Sequence, residues 1–208
     1  MADDEDHEEM EGEEMEGGEG EDHEEMEGEE GEHINEGDEV EVIESDFKNG
    51  DKYKGDTVSG KKHGKGVYHF KGGDVYEGDF KNSRFSGQGI YSYFNGDKYV
   101  GEWVNGMKSG LGKFYYKKGD RYEGKFKDGK YNGKGTYFFA NGESYEGKFT
   151  NGMFHGEGVF NYKNGEKYEG EWQNDKKSGK GTYHFVDGRF YAGEWDNDIL
   201  KLSEKENK

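Results

Sequence analysis

The chain has no cysteine and no proline among its 208 residues. Without cysteine there are no disulfides and no thiolate metal sites, which fits a reducing compartment. Without proline, no residue is barred from donating to a sheet ladder. No apolar run is long enough for a membrane-spanning helix. Neither a signal peptide nor a lipidation pattern is read, so the expected location is the cytoplasm. Lysine and arginine are missing from residues 1–44, which hold 24 acidic side chains. The net charge of −19 is therefore misleading as an average, because the rest of the chain carries 24 acidic against 29 basic residues, a net of +5. Residues 1–38 are expected to be a disordered acidic tail, self-repelling and poor in apolar side chains. Asp6 to Glu14 recurs identically at Asp22 to Glu30.

What the chain has in abundance is aromatic residues and glycine, in strict phase. Tyrosine stands at 53, 76, 99, 122, 145, 168 and 191, every 23 residues. A fixed period of this length marks one small unit copied along the chain, each copy resting on its neighbours. With the tyrosine as position zero, +2 is glycine in all copies, and +4 is aromatic from Phe80 to Trp195, with Thr57 in the first copy. Positions +11, +13 and +20 are glycine in every complete copy; +15 and +17 are Tyr or Phe.

Inside the unit the period is two. Each unit therefore reads as two short strands with one aromatic and one charged face. Val104 to Ser109 is expected to be a six-residue hairpin loop, and Asn95-Gly96, Asn141-Gly142 and Asn164-Gly165 are expected to be type I′ turns between units. The glycines at +2 and +13 are expected to let a neighbouring ring cross close to the backbone. The predicted fold is all-β: one elongated antiparallel sheet of stacked hairpins. Residues 39–50 form a capping half-repeat, with Val40 to Phe47 as a lone starting strand. Residues 51–195 are the array, and 196–208 are a C-terminal cap and charged tail in which Ile199, Leu200 and Leu202 fold over the last hairpin.

Segments such as Tyr168-Glu-Gly-Glu-Trp172 followed by Gly179-Lys-Gly-Thr-Tyr183 resemble the MORN repeat family. The resemblance spans residues 53 to 195 and implies the same twisted sheet of hairpins. Thr57, and Ser83, Asp175 and Asp198 at the usual glycine of +7, depart from it and leave open how tight those hairpins are. Proteins of the family are frequent in cilia and flagella. A short, nearly all-repeat chain with an acidic end looks most like the radial spoke head MORN component of motile axonemes. That resemblance implies a cytoskeletal, axonemal location and axonemal protein partners.

No catalytic, cofactor-binding or metal-ligating constellation is read, and no enzyme is expected. His63 and His155 share position +10 and read as turn residues. Glycine-lysine-glycine pieces such as Gly64-Lys-Gly66 recur with the repeat and lack a following helix, so they are not phosphate loops. A net of +5 with interleaved acids is a weak field for nucleic acid. The alternative functions are another cytoskeletal MORN scaffold and a peripheral module for anionic phosphoinositides. Its basic pairs lie only in loops, at Lys61-Lys62, Lys117-Lys118 and Lys176-Lys177, so membrane is not an expected partner. A homodimer is allowed. The expected partner surface is a row of rings, Tyr91, Tyr93, Phe114, Tyr116, Tyr137 and Phe139. Tyrosine suits such a surface because it is large, stiff and half polar.

Overall fold

A computed structural model describes residues 39–201. The expected disordered tail, 1–38, and Leu202 of the expected cap lie outside them. Every regular element among the described residues is a strand. In chain order these are β1 (Val40–Asp46), β2 (Lys52–Val58), β3 (Lys61–His69), β4 (Val75–Lys81), β5 (Arg84–Ser92), β6 (Lys98–Val104), β7 (Met107–Tyr115) and β8 (Arg121–Lys127). Then follow β9 (Lys130–Phe138), β10 (Ser144–Thr150), β11 (Met153–Asn161), β12 (Lys167–Gln173), β13 (Lys176–His184), β14 (Phe190–Asp196) and β15 (Ile199–Lys201). They form one open antiparallel sheet in strict sequence order, β1 to β15. Register follows the repeat: the zero tyrosine faces +15 of its own unit, as in Tyr76 opposite Tyr91, and +2 faces +13, as in Gly78 opposite Gly89.

The hairpin turn is tighter than the spacing suggests, and the connection between units is longer than a two-residue turn. Between β6 and β7 only Asn105 and Gly106 are outside the strands, not six residues, and both have positive φ, 50° and 85°. This is the type I′ geometry whose twist matches the flanking strands. The I′ turn thus sits at +6 and +7 of the unit, whereas the Asn-Gly pairs between units adopt another turn. At Tyr93–Asp97 the Gly96 N–H donates to the Tyr93 carbonyl at 3.0 Å, and the Tyr93 N–H donates to the Asp97 carbonyl at 3.0 Å. Gly96 alone is left-handed there, at φ 100°. That is a three-residue loop with a type I turn.

The residues that depart from glycine at +7 do not loosen the hairpin. Ser83, Asp175 and Asp198 hold φ of 64°, 66° and 68°. Their side chains accept backbone N–H groups of the preceding unit: Lys62 to Ser83 at 3.2 Å, Phe154 to Asp175 at 2.6 Å and Lys177 to Asp198 at 2.8 Å. The bond offsets the cost of a left-handed non-glycine residue. A second irregularity lies inside each hairpin, where the register shifts after +2. The +11 glycine takes positive φ, 56° at Gly87 and 60° at Gly110, and forms a bulge. The N–H freed at +12 is capped by the +3 carboxylate, as in Leu111 to Glu102 at 2.8 Å and Lys180 to Glu171 at 3.0 Å. His63 and His155 lie beside this bulge in β3 and β11, so they are strand residues and not turn residues.

The glycine tracks hold the tyrosines. In each complete unit the zero tyrosine lies flat over its own +2 and +13 glycines: a Cβ on Gly112 would meet the Tyr99 ring at 2.6–2.8 Å. The crossing ring therefore belongs to the same hairpin, two residues before +2, and not to a neighbouring one. Its hydroxyl donates to the +3 carbonyl, as in Tyr99 to Glu102 at 2.9 Å. Burial raises the Tyr53 hydroxyl to about 12. The +4 ring then stands edge-on between two tyrosines: Trp103 lies 5.2 Å from Tyr99 and 5.3 Å from Tyr76 of the preceding unit. This explains Thr57. The position 23 residues before Tyr53 is Glu30, so the first +4 residue has no preceding tyrosine to stand against. Thr57 instead donates to the Glu41 carbonyl of β1 at 3.2 Å.

The seventh copy is incomplete. Tyr191 is 54% exposed, whereas the zero tyrosines of the six preceding units are at most 1% exposed. Leu200 of β15 lies over Gly193, with Cδ1 2.7 Å from where a Cβ would be, the place a tyrosine ring takes in the other units.

Candidate interaction surface

The zero, +4 and +9 rows bury one another on a single sheet without a second layer. Tyr76, Tyr99, Tyr122, Tyr145 and Tyr168 are 0% exposed. The leftover apolar surface is therefore narrower than a whole uncovered aromatic face. It is the row built by +15 and +17. From Phe47 through Tyr68 and Phe70 to Tyr183 and Phe185, successive rings follow one another at 4.5–6.1 Å between centroids, without a break. Tyr91, Tyr93, Phe114, Tyr116, Tyr137 and Phe139 are consecutive members of this row. Within it the two positions differ. Phe114 and Tyr137, both at +15, are buried, at 1% and 5% exposure. Tyr93, Tyr116 and Phe139, at +17, are half-buried, as is Tyr91.

Two further rows, which the spacing of tyrosine and glycine does not announce, shape this surface. The first is an acid two residues before each of the first six zero tyrosines, from Asp51 to Glu166; Arg189 stands there before Tyr191. Tyr91 donates to Asp74 at 2.7 Å, and Tyr137 donates to Asp120 at 2.8 Å. The other oxygen of each carboxylate accepts a loop N–H, from Phe94 at 2.7 Å and Ala140 at 2.8 Å. The +15 hydroxyls are thus tied down, and the +17 loop is braced by the same group.

The second is position +9, occupied in turn by Lys62, Phe85, Lys108, Tyr131, Phe154 and Lys177. Where it is aromatic, it stacks on its own zero tyrosine: Phe85 on Tyr76 at 3.7 Å, Tyr131 on Tyr122 at 3.8 Å, Phe154 on Tyr145 at 3.7 Å. Where it is lysine, the ammonium sits among the same rings. Lys108 Nζ is 4.9 Å from the Phe114 centroid, 5.5 Å from Tyr93 and 5.8 Å from Tyr99. It also donates to the Tyr93 hydroxyl at 3.0 Å. Tyr116 and Tyr131 share a hydroxyl–hydroxyl bond of 2.7 Å at the equivalent place one unit on. The +9 residue therefore joins each unit to the +17 ring of the unit before. Alternation of lysine with aromatics hides this row from a hydropathy pattern, although its 23-residue spacing is as regular as that of tyrosine.

Burial among rings pulls the Lys108 ammonium down to about 8, against the opposing attraction of Asp97. A lysine whose folded value lies below its ordinary one destabilises the fold while it is charged, and that cost fades as pH rises from about 8 toward the unfolded value near 10.4. Lys108→Met should therefore stabilise the protein at neutral pH, by about 1 kcal/mol once solvent screening is allowed for. Urea melts at pH 7 and 9.5 check this: the gain should shrink at the higher pH, and an equal gain at both would trace it to packing alone.

No group of three or more His, Asp or Glu among the described residues is placed to hold a metal ion. No helix among them is long and apolar enough to cross a membrane.

No curated protein matches the sequence significantly. Among solved structures, the SAS-4 (dCPAP) TCP domain of Drosophila melanogaster, in complex with a proline-rich motif of Ana2 (dSTIL), is 13% identical. It matches over 74% of this chain and 78% of that one, with a TM-score of 0.43. The TCP10c domain of Drosophila melanogaster Sas-4 is 12% identical over 74% and 85%, with a TM-score of 0.39. The TCP10 domain of Danio rerio CPAP with a STIL peptide is 11% identical over 76% and 83%, with a TM-score of 0.26. The family model of the MORN repeat matches six consecutive times, at 53–75, 76–98, 99–121, 122–144, 145–167 and 168–188. These boundaries coincide with the tyrosine-to-tyrosine units of the sheet, and the chain belongs to the MORN repeat family.

Proposed function

We propose that the chain is a non-catalytic structural scaffold of the ciliary or flagellar axoneme, acting as a radial-spoke-head-like component that presents its ring row to axonemal proteins. The observation that carries the scaffold reading is the unbroken +15/+17 row, with its +17 rings half-buried and accessible along the sheet. Rings held this way are preorganised, so a partner covers them at little cost in side-chain entropy. Tyr93 and Tyr116 are large, half-polar rings whose hydroxyls are fixed by Lys108 and Tyr131, and tyrosine is a residue that protein interfaces favour. The axonemal assignment rests on the family resemblance of the whole chain.

The test is replacement of Tyr93 and Tyr116 by serine in a tagged copy expressed in ciliated cells. Circular dichroism should show the β-sheet intact, and the variant should lose co-purification with axonemal proteins. A folded variant that still incorporates would place the docking surface elsewhere. A wild-type copy absent from cilia would reject the axonemal reading and leave the scaffold reading to be tested with other cytoskeletal fractions.

A further inference from the structure

The fold treats the chain's Asn-Gly pairs unequally. Asparagine followed by glycine is prone to spontaneous loss of its amide, because the glycine nitrogen is unhindered and can attack the side chain. Four such pairs lie in the three-residue loops between units, at Asn49, Asn95, Asn141 and Asn164. Each of these amides is clamped from both ends. Asn95 Nδ2 donates to Asp97 at 3.0 Å, and its Oδ1 accepts the Asp97 N–H at 2.9 Å. Asn141 makes the same two bonds with Glu143, at 3.1 and 3.0 Å. The glycine that would attack is engaged as well: the Gly96 N–H donates to Tyr93 and the Gly142 N–H to Phe139, at 3.0 and 3.1 Å. Three hydrogen bonds must break before reaction. A fifth pair, Asn132-Gly133, is inside the sheet, where Gly133 faces Phe149.

The remaining two pairs, Asn105-Gly106 and Asn151-Gly152, form two-residue I′ turns. Both asparagines are exposed, and neither side chain is held by a hydrogen bond among the described residues. Nothing lies within 4 Å of a Cβ built on Gly106 or Gly152, so the space around the nucleophile is open. A single bond restrains each glycine nitrogen, from Gly106 to the Phe85 carbonyl at 2.9 Å and from Gly152 to Tyr131 at 3.0 Å.

We propose that Asn105 and Asn151 are sites of enzyme-independent modification, converting to aspartate and isoaspartate through a cyclic imide. The Gly106 nitrogen gives its proton to solvent base and attacks Asn105 Cγ. An N–C bond forms, the carbon–amide bond breaks, and the amide nitrogen leaves with a proton from water as ammonia. Water then adds to one of the two imide carbonyls and reopens the ring. No electrons are exchanged, and each event exchanges a neutral amide for a carboxylate.

The repeat supplies its own controls. Asn82, Asn174 and Asn197 hold the same turn position at φ 49°, 51° and 48°, but are followed by Ser83, Asp175 and Asp198, whose side chains crowd the attacking nitrogen. Asp128 already occupies this position at φ 50°, so the aspartate product fits the turn. Isoaspartate does not, because it inserts a methylene into the backbone of a two-residue turn. The bond from that turn to the preceding unit should then be lost.

The experiment is ageing of the full chain at mildly alkaline pH and body temperature, with peptide mapping by mass spectrometry. Asn105 and Asn151 should convert several-fold faster than Asn95 and Asn141, and several-fold faster than Asn82 and Asn174. In concentrated urea the Asn-Gly pairs should converge on one rate, showing that the fold sets the order. Equal rates in the folded protein, or earlier conversion of the loop asparagines, would overturn the proposal. Gly106→Ser copies the residue that the second unit uses in the same turn. It should suppress conversion at Asn105 and leave Asn151 unchanged as an internal reference, and an unaltered rate at Asn105 would also overturn the proposal. If this variant fails to fold, the comparison of Asn105 and Asn151 with the Asn-Gly pairs at Asn95 and Asn141 in the natural chain still decides.

Discussion

Gly112→Ala should be among the most damaging single-methyl changes in the chain, costing about 3 kcal/mol or more. The added Cβ would lie 2.6 Å from the Tyr99 hydroxyl and 2.7–2.8 Å from its ring carbons. That ring cannot retreat. Trp103 stands against it at 5.2 Å and Phe126 of the next unit at 4.9 Å. Its hydroxyl is also anchored on the Glu102 carbonyl. The backbone is no more able to yield, because Gly112 faces Gly101 across the hairpin and Gly124 across the next strand pair. Gly106→Ala is the matched comparison. Nothing surrounds its Cβ, and its cost comes from φ of 85° alone, about 1 kcal/mol. Urea melts of the two variants separate a close approach from a conformational requirement. A cost at Gly112 no larger than at Gly106 would mean that the tyrosine ring does not pack on the glycine track.

Trp103→Ala should cost about 3–5 kcal/mol, and Trp195→Ala clearly less. Both indoles occupy position +4, so the difference tests neighbour coupling and not residue type. Trp103 meets four rings, Tyr76, Phe85, Tyr91 and Tyr99, at 5.2–6.0 Å. Among the described residues Trp195 meets one ring, Tyr168 at 5.2 Å, with Lys177 Nζ 5.5 Å from its own ring. On its far side the array ends, and Tyr191 is exposed instead of packed. In a stacked array a central unit loses two interfaces and a terminal one loses a single interface. Hydrogen exchange should show the Trp195 variant fraying over β13 to β15 while β6 to β9 stay protected. Equal penalties at both sites would argue against stability shared between neighbours.

The amino-acid sequence by itself determined the repeat, the all-β class, the antiparallel meander and the starting strand before Lys52. Seven phased tyrosines and their glycines leave little freedom once the period is two within the unit and 23 between units. It also pointed to the glycine track as the bed for a ring, because a glycine on an aromatic face marks a site of close approach. Other features were decided only in three dimensions. The I′ turn moved to +6 and +7 because left-handed Asn, Ser and Asp are tolerated in a two-residue turn. The Asn-Gly pairs between units took a three-residue loop because an acid two residues before each of the first six zero tyrosines braces it. Neither choice can be seen in spacing, since both loops offer the same dipeptide. Position +9 was equally hidden. A lysine and a phenylalanine look unlike in sequence, yet each lays an apolar body on the same tyrosine, and only the packed sheet makes them equivalent. The ring row was legible as a row, but its division into buried rings (Phe114, Tyr137 and Phe160, all at +15) and half-buried ones (Tyr91 and the +17 rings among them) was not. That division depends on which ring the next unit covers, a contact between residues about 20 apart that strand alternation alone cannot specify.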